Sequence, residues 1–148
     1  MTPPVRGGAC AVVLAALVLL AAGCGKDQEQ TYCDALHAKQ TIFADDDSGQ
    51  GFLPHLADLR ALAKKAPDDL TDEWQVFLDA LGDLSTAISS AGVKASDIVG
   101  GKQPAGVSDA QWAAIRAAAN GLGSDSVAEA LDGIDQEARD VCQLQLGL

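Results

Sequence analysis

Apolar residues recur at steps of three and four along most of this chain, and this spacing limits the fold more than any other feature of the sequence. The clearest case is one segment whose apolar residues share a helical face: Trp74, Phe77, Leu78, Leu81, Leu84 and Ile88. Because an α-helix has about 3.6 residues per turn, residues at this spacing form a continuous stripe along one face of the helix. No segment shows the sustained alternation of apolar and polar residues that is typical of a strand. The sequence therefore predicts an all-α protein.

Amphipathic segments of this kind follow one another, separated by turns rich in Gly, Pro and Asp. We expect helices at 31–44, 52–66, 67–91, 108–122 and 126–142. Three of them start with a capping-box pattern, namely Thr31 with Asp34, Ser108 with Gln111, and Ser126 with Glu129. Since each helix has one apolar face to bury, the pattern predicts a bundle of four to five helices.

The start of the chain has a different character. One basic residue, Arg6, precedes an apolar run at 9–22, and small residues follow at the end of that run. This order is typical of a secretory signal peptide. The run is shorter than the about 20 residues that a spanning helix needs, which favours a cleaved signal over a retained anchor. Residues 1–23 are therefore predicted to be removed.

The residues around the expected cleavage point, Leu20, Ala21, Ala22, Gly23 and Cys24, resemble the lipobox of bacterial lipoproteins. In that motif the cysteine thiol is joined to a diacylglyceryl group, and the cysteine becomes the first residue after cleavage. The commonest form has a Leu three residues before the cysteine, where this chain has Ala21. The small residues that the peptidase needs are present. The resemblance implies lipidation at Cys24, and ordinary secretion is the alternative.

The chain has four cysteines, and accounting for each of them predicts one disulfide. Cys10 would be lost with the signal peptide, and Cys24 would carry the lipid. Cys33 and Cys142 remain, near the two ends of the domain. Because exported proteins fold in an oxidising environment, we expect these two to pair, in preference to two buried thiols. Closing a loop of about 100 residues is worth about 4.7 kcal/mol in the chain-entropy view of disulfides.

The charge of the chain limits its partners. The formal net charge is −11 at pH 7, and loss of Arg6 with the signal peptide makes the domain more negative still. Such a domain repels nucleic acid and anionic membrane surfaces. We therefore expect no nucleic-acid partner and attachment to the membrane only through the lipid on Cys24. The mostly polar residues 24–30 are interpreted as the lipidated cysteine and a short tether, with the helical domain at 31–148.

Asp45, Asp46 and Asp47 are the candidates for a metal site, because clustered carboxylates on a Gly-rich loop supply the oxygen ligands that calcium prefers. Their spacing departs from the EF-hand pattern. Counted from Asp45, the position that requires Glu is occupied by Leu56. We interpret the stretch as a solvated break between two helices and expect no metal there.

Patterns that would indicate an enzyme are missing from the sequence. There is no Gly-x-Ser-x-Gly elbow, no His-Glu-x-x-His pair and no Gly-Lys-Ser/Thr phosphate loop. His37 and His55 lack a second imidazole or a free thiol at metal-ligand spacing. Trp74 and Trp112 fall on predicted buried stripes, which makes them core residues in our interpretation. We therefore expect a protein without enzymatic activity or cofactor.

Taken whole, the chain resembles the small lipoproteins of actinobacteria, the high-GC Gram-positive bacteria. The likeness rests on the stretches 20–25, 32–36, 66–74 and 138–142. It implies an anchor on the outer face of the cytoplasmic membrane, and it implies no particular activity.

Three classes of function remain open. The first, which we favour, is a lipoprotein whose domain contacts another envelope protein or has a structural role; it predicts an exposed apolar patch. The second is an extracytoplasmic module that binds a small solute or cation, which predicts an enclosed pocket with converging polar groups. The third is an enzyme that uses two carboxylates with separated pKa values in a cleft.

Overall fold

The structure is a computed structural model and describes residues 24–44 and 49–148. The predicted signal peptide, 1–23, and the carboxylates Asp45, Asp46 and Asp47 lie outside the described residues. Within the described ranges the protein has five α-helices and no strand, which confirms the predicted all-α class. The helices are α1 (Cys24–Lys39), α2 (Leu56–Ala63), α3 (Thr71–Ser90), α4 (Asp109–Leu122) and α5 (Asp125–Asp140). Short 3-10 turns lie at Gln40–Phe43, Leu53–His55, Asp68–Leu70 and Ala95–Ile98.

The longest helix, α3, lies at the centre of the bundle. Trp74, Phe77 and Leu81 of its first half belong to the main hydrophobic core, which α1, α2 and α5 complete. Leu84 and Ile88 of its second half belong to a smaller cluster with residues of α4. α5 and α4 therefore cover successive halves of the same helix. This arrangement follows from the length of the α3 stripe, because no single neighbour covers all of it.

The first helix was expected to start at Thr31, but residues 24–30 before it are already helical. The hydroxyl of Thr31 donates to the carbonyl of Asp27 at 2.7 Å, so this residue lies inside the helix and caps nothing. The Gln28 side chain donates to the carbonyl of Ala66 at 2.8 Å. The residues expected to form a tether are thus the first turns of α1, and a long-range hydrogen bond connects them to the rest of the bundle.

Of the other two predicted capping boxes, one is confirmed and one is wrong. Ser108 Oγ accepts a hydrogen bond from the Gln111 N–H at 3.3 Å, and the Ser108 N–H donates to Gln111 Oε1 at 2.9 Å. The box expected at Ser126 does not form, because α5 starts after Ser124, whose side chain makes no capping hydrogen bond to the helix. Ser124 lies two residues before Ser126, and the sequence pattern does not show which of the two serines precedes the helix.

The chain ends in a C-terminal strap, residues 141–148, that sequence periodicity did not predict. The fifth helix was expected to continue with Val141 on its buried stripe, but Val141 is 42% exposed. Instead α5 ends at Asp140, and alternate residues of the strap are buried: Cys142, Leu144 and Leu146. The strap therefore covers part of the main core.

A buried carboxylate holds the strap in place. Asp135 of α5 is only 7% exposed, and its Oδ1 accepts a hydrogen bond from the Leu146 N–H at 3.2 Å. Its other oxygen is paired with Arg139. Because both oxygens have partners, the cost of burying this charge is offset. His37 of α1 also contacts the strap, with Nε2 3.3 Å from the carbonyl oxygen of Cys142.

Cys33 and Cys142 form the predicted disulfide, with their Cα atoms 5.1 Å apart. The bond connects α1 to the strap immediately beyond α5, and the two residues are separated by 109 positions. Both are buried in the main core. The disulfide therefore closes nearly the whole described chain into one loop.

We expect the double variant Cys33→Ala, Cys142→Ala to lower the free energy of unfolding by about 2–5 kcal/mol, because the unfolded chain regains the freedom that the bond removes. Urea unfolding followed by tryptophan fluorescence, with and without reductant, measures the change. The double variant is its own control, since reductant should destabilise the wild-type protein and leave the variant unaffected. Equal stability of the reduced and oxidised wild-type protein would contradict this prediction.

Candidate functional site

A buried aromatic pair joins α1 to the start of α3. Trp74 Nε1 donates a hydrogen bond to the hydroxyl of Tyr32 at 3.0 Å, and the two rings meet edge to face with centroids 6.4 Å apart. Burial raises the pKa of Tyr32 to about 12; the hydrogen bond from Trp74 lowers this pKa and the charge of Glu137 raises it. The phenol is therefore neutral at ordinary pH. The pair is part of the core, and sequence periodicity had missed Tyr32.

Four carboxylates lie near this part of the bundle, and we call them the acidic end: Glu137, whose charge acts on Tyr32, and Glu29, Asp69 and Asp140, whose charges act on Glu137. Burial raises the pKa of Glu137, and the charges of Asp69, Glu29 and Asp140 raise it further. Across residues 24–44 and 49–148, no group of three or more His, Cys, Asp or Glu residues is arranged to hold a metal ion. The acidic end is thus a region of mutual repulsion between α1, the segment before α3, and α5.

A further carboxylate lies between α3 and α5. Cγ of Glu73 is only 3.1 Å from the position that a Cβ on Gly133 would take. The glycine therefore lets the Glu73 side chain pass across α5. Glu73 Oε2 is buried, and no hydrogen-bond partner for it exists among the described residues.

The larger of two grooves on the surface of the described residues is the α3–α4–α5 groove, which has a volume of about 450 Å³ and opens to solvent. It lies where α4 ends and α5 begins. Its lining consists of small and apolar side chains with three polar ones: Val76, Ala80, Asp83, Ala117, Ala118, Gly121, Ser124, Ser126 and Val127. Such a lining can accept an apolar side chain beside a group that hydrogen-bonds or carries positive charge.

The surface of the described residues differs from the exposed apolar patch that an interacting lipoprotein predicts and from the enclosed pocket that a solute-binding module predicts. The exposed large apolar side chains of the described ranges are Val76, Val99 and Val141, each on a different part of the chain. Of these, Val76 lines the α3–α4–α5 groove. A second groove of about 260 Å³, near Leu53 and Ile88, is also open to solvent. Both grooves are therefore surface features, and neither is the enclosed pocket expected of a solute-binding module.

The structure separates the sequence-predicted site residues. Cys24 is the first residue of α1. Trp74 is buried as expected, whereas Trp112 is half-buried against the smaller cluster. His37 contacts the strap and His55 ends a 3-10 turn, far apart in the sequence and in different elements. Within the described residues, no helix combines the length and the apolar character needed to cross a membrane.

No family model, no curated protein and no solved structure matches this chain.

We expect Glu137→Gln to stabilise the protein at pH 7. Because the pKa of Glu137 is raised in the folded state, that state binds the proton more tightly than the unfolded chain does. The free energy of unfolding therefore falls as pH rises from the ordinary carboxyl pKa of 4.5 to the higher folded value, and it stays lower above that value. The variant should gain stability over the wild-type protein across this window, measured by urea unfolding at several pH values.

The control is Glu129→Gln, which neutralises an exposed carboxylate of the same helix. It should show no such gain at pH 7. A Glu137→Gln variant whose stability difference from the wild-type protein does not change with pH would show that repulsion at the acidic end is absent.

Proposed function

We propose that the protein is a lipoprotein attached to the outer face of the cytoplasmic membrane through a lipid on Cys24. The observation that carries the proposal is the sequence from Leu20 to Cys24, in which small residues precede a cysteine at the end of an apolar signal-like run. Two or more acyl chains anchor a protein stably where one does not.

Two properties of the folded domain support this proposed location. The Cys33–Cys142 disulfide fits an oxidising compartment outside the cytoplasm. The strongly negative charge makes unaided binding to an anionic membrane unfavourable, so that a covalent lipid would be the attachment.

We infer further that the domain has no enzymatic activity and either contacts another envelope protein or has a structural role. The α3–α4–α5 groove is the surface best suited to such a contact, because exposed Val76 lies among small residues there. Partner helices approach closely where side chains are small, which favours a protein segment as the occupant. The alternative is a small solute or cation, and Asp83 with the hydroxyls of Ser124 and Ser126 is the observation that favours it.

The lipid attachment is tested with Cys24→Ala, expressed in cells from the complete sequence. We expect the wild-type protein to partition with membranes and to carry the mass of a diacylglyceryl group. The variant should lose both, since the thiol that receives the lipid is gone. A Cys24→Ala protein that still partitions with membranes would overturn the proposed anchor.

The interaction role is tested by placing a photo-crosslinking amino acid at Ala117, in the groove, and in a separate protein at Ala38, an exposed alanine of α1. In native membranes we expect one envelope protein to be captured from Ala117 and not from Ala38. Adding Gly121→Arg, which fills the groove from an open position, should abolish the capture. Identical capture from both positions would contradict a specific contact, and a copurifying small molecule lost in the Gly121→Arg protein would favour the alternative.

A further inference from the structure

The start of α1 bears on how a lipidated protein would sit on the membrane. Cys24 is already helical, so no irregular segment separates this residue from the bundle. Within the next turns, Gln28 is bonded to Ala66, and Tyr32 is bonded to Trp74. The disulfide at Cys33 then ties the same helix to the strap. A lipid on Cys24 would therefore be attached to a packed helix.

The contacts of α1 identify which end of the bundle lies near Cys24. Ala66, the partner of Gln28, is just before the turn that leads into α3. The charges of Glu29 and Asp69 act on Glu137 near the end of α5, which places these three carboxylates in the same region. Glu29 is less than two helical turns from Cys24, about 8 Å along the axis. The acidic end is therefore the end from which the lipid would extend.

The opposite end of the bundle is defined by the smaller cluster, in which Leu84 and Ile88 of α3 pack against Trp112 of α4. Ile88 is about 20 Å further along α3 than Trp74, given the rise of a helix. The two tryptophans thus lie in opposite halves of the bundle.

The outer surface of α1 opposes a position flat on the bilayer. Apart from Ala38, its described exposed side chains are polar or charged and include Asp27, Glu29, Gln30, Thr31 and Asp34. A helix that lies in the interface needs an apolar face to insert and gains from basic residues opposite anionic headgroups. The described exposed side of α1 has no apolar stripe, and its acids Asp27, Glu29 and Asp34 outnumber its exposed lysine, Lys39.

We propose that the lipidated protein stands end-on: the lipid holds the acidic end nearest the headgroups in spite of its charge, and the half of the bundle that contains Trp112 is directed away from the membrane. This inference rests on the proposed lipid attachment at Cys24. The α3–α4–α5 groove, at the middle of α3, would then remain clear of the bilayer and accessible to a partner from the side.

The experiment uses energy transfer from tryptophan to a dansyl acceptor on the headgroups of phosphatidylcholine vesicles that contain the lipidated protein. The Trp112→Phe variant leaves Trp74 as the donor, and Trp74→Phe leaves Trp112. We expect the transfer efficiency from Trp74 to be at least about twofold higher, because Trp112 would lie about 20 Å further from the headgroups. Circular dichroism verifies that both variants are folded.

A second measurement avoids the Trp74→Phe variant, which removes a buried hydrogen bond. In the Trp112→Phe protein, a flexible Gly-Ser segment is inserted between Lys26 and Asp27, so that the lipid is no longer attached directly to the helix. Transfer from Trp74 should then fall towards the value of a freely tumbling domain. Unchanged transfer would overturn the end-on orientation.

The failures of the two proposals are distinguishable. Equal transfer from Trp74 and Trp112 in protein that is attached to vesicles overturns the orientation and leaves the proposed anchor intact. Wild-type protein that carries no lipid and does not associate with vesicles overturns the anchor, and the orientation falls with it.

Discussion

Burial of the apolar stripe of α3 is the interaction on which the other elements depend. Trp74, Phe77 and Leu81 are almost completely removed from water, and each such side chain contributes about 1.5–3 kcal/mol relative to exposure. No single one of the remaining helices covers the whole stripe. α1, α2 and α5 cover its first half and α4 its second half. The α3–α4–α5 groove lies over α3, at the point where the end of α4 meets the start of α5.

Two connections lie close to the acidic end of the bundle. The charges of Glu29, Asp69 and Asp140 act on Glu137 there. The Cys33–Cys142 disulfide connects α1 to the strap just beyond α5. The hydrogen bond from the Leu146 N–H to Asp135 adds a second connection, from the strap back to α5. The disulfide and the buried hydrogen bond thus stabilise the part of the bundle in which these carboxylates repel Glu137.

The proposed anchor and the contact surface would occupy different parts of the bundle. Cys24 is at the acidic end, while the α3–α4–α5 groove lies further along α3. A domain attached through a packed helix would present its groove at a limited range of heights and angles above the membrane. Such a limit favours partners that are themselves held at the membrane, because two surface-bound proteins meet at raised effective concentration.

The helical class, the approximate positions of the helices and the capping box at Ser108 could be predicted from the sequence, because periodicity and capping are local properties. The identity of the disulfide partners followed from counting cysteines in a chain that its sequence predicts to be exported. Only the tertiary structure showed that residues 24–30 are helical, because a hydrogen bond from Gln28 to distant Ala66 connects this stretch to the bundle. The buried strap and the groove depend likewise on contacts such as Asp135 with Leu146 and on the meeting of α4 with α5. The apolar residues of the strap alternate with other residues over 142–148, which marks the buried positions, but the place of the strap is set only by the surface onto which it folds.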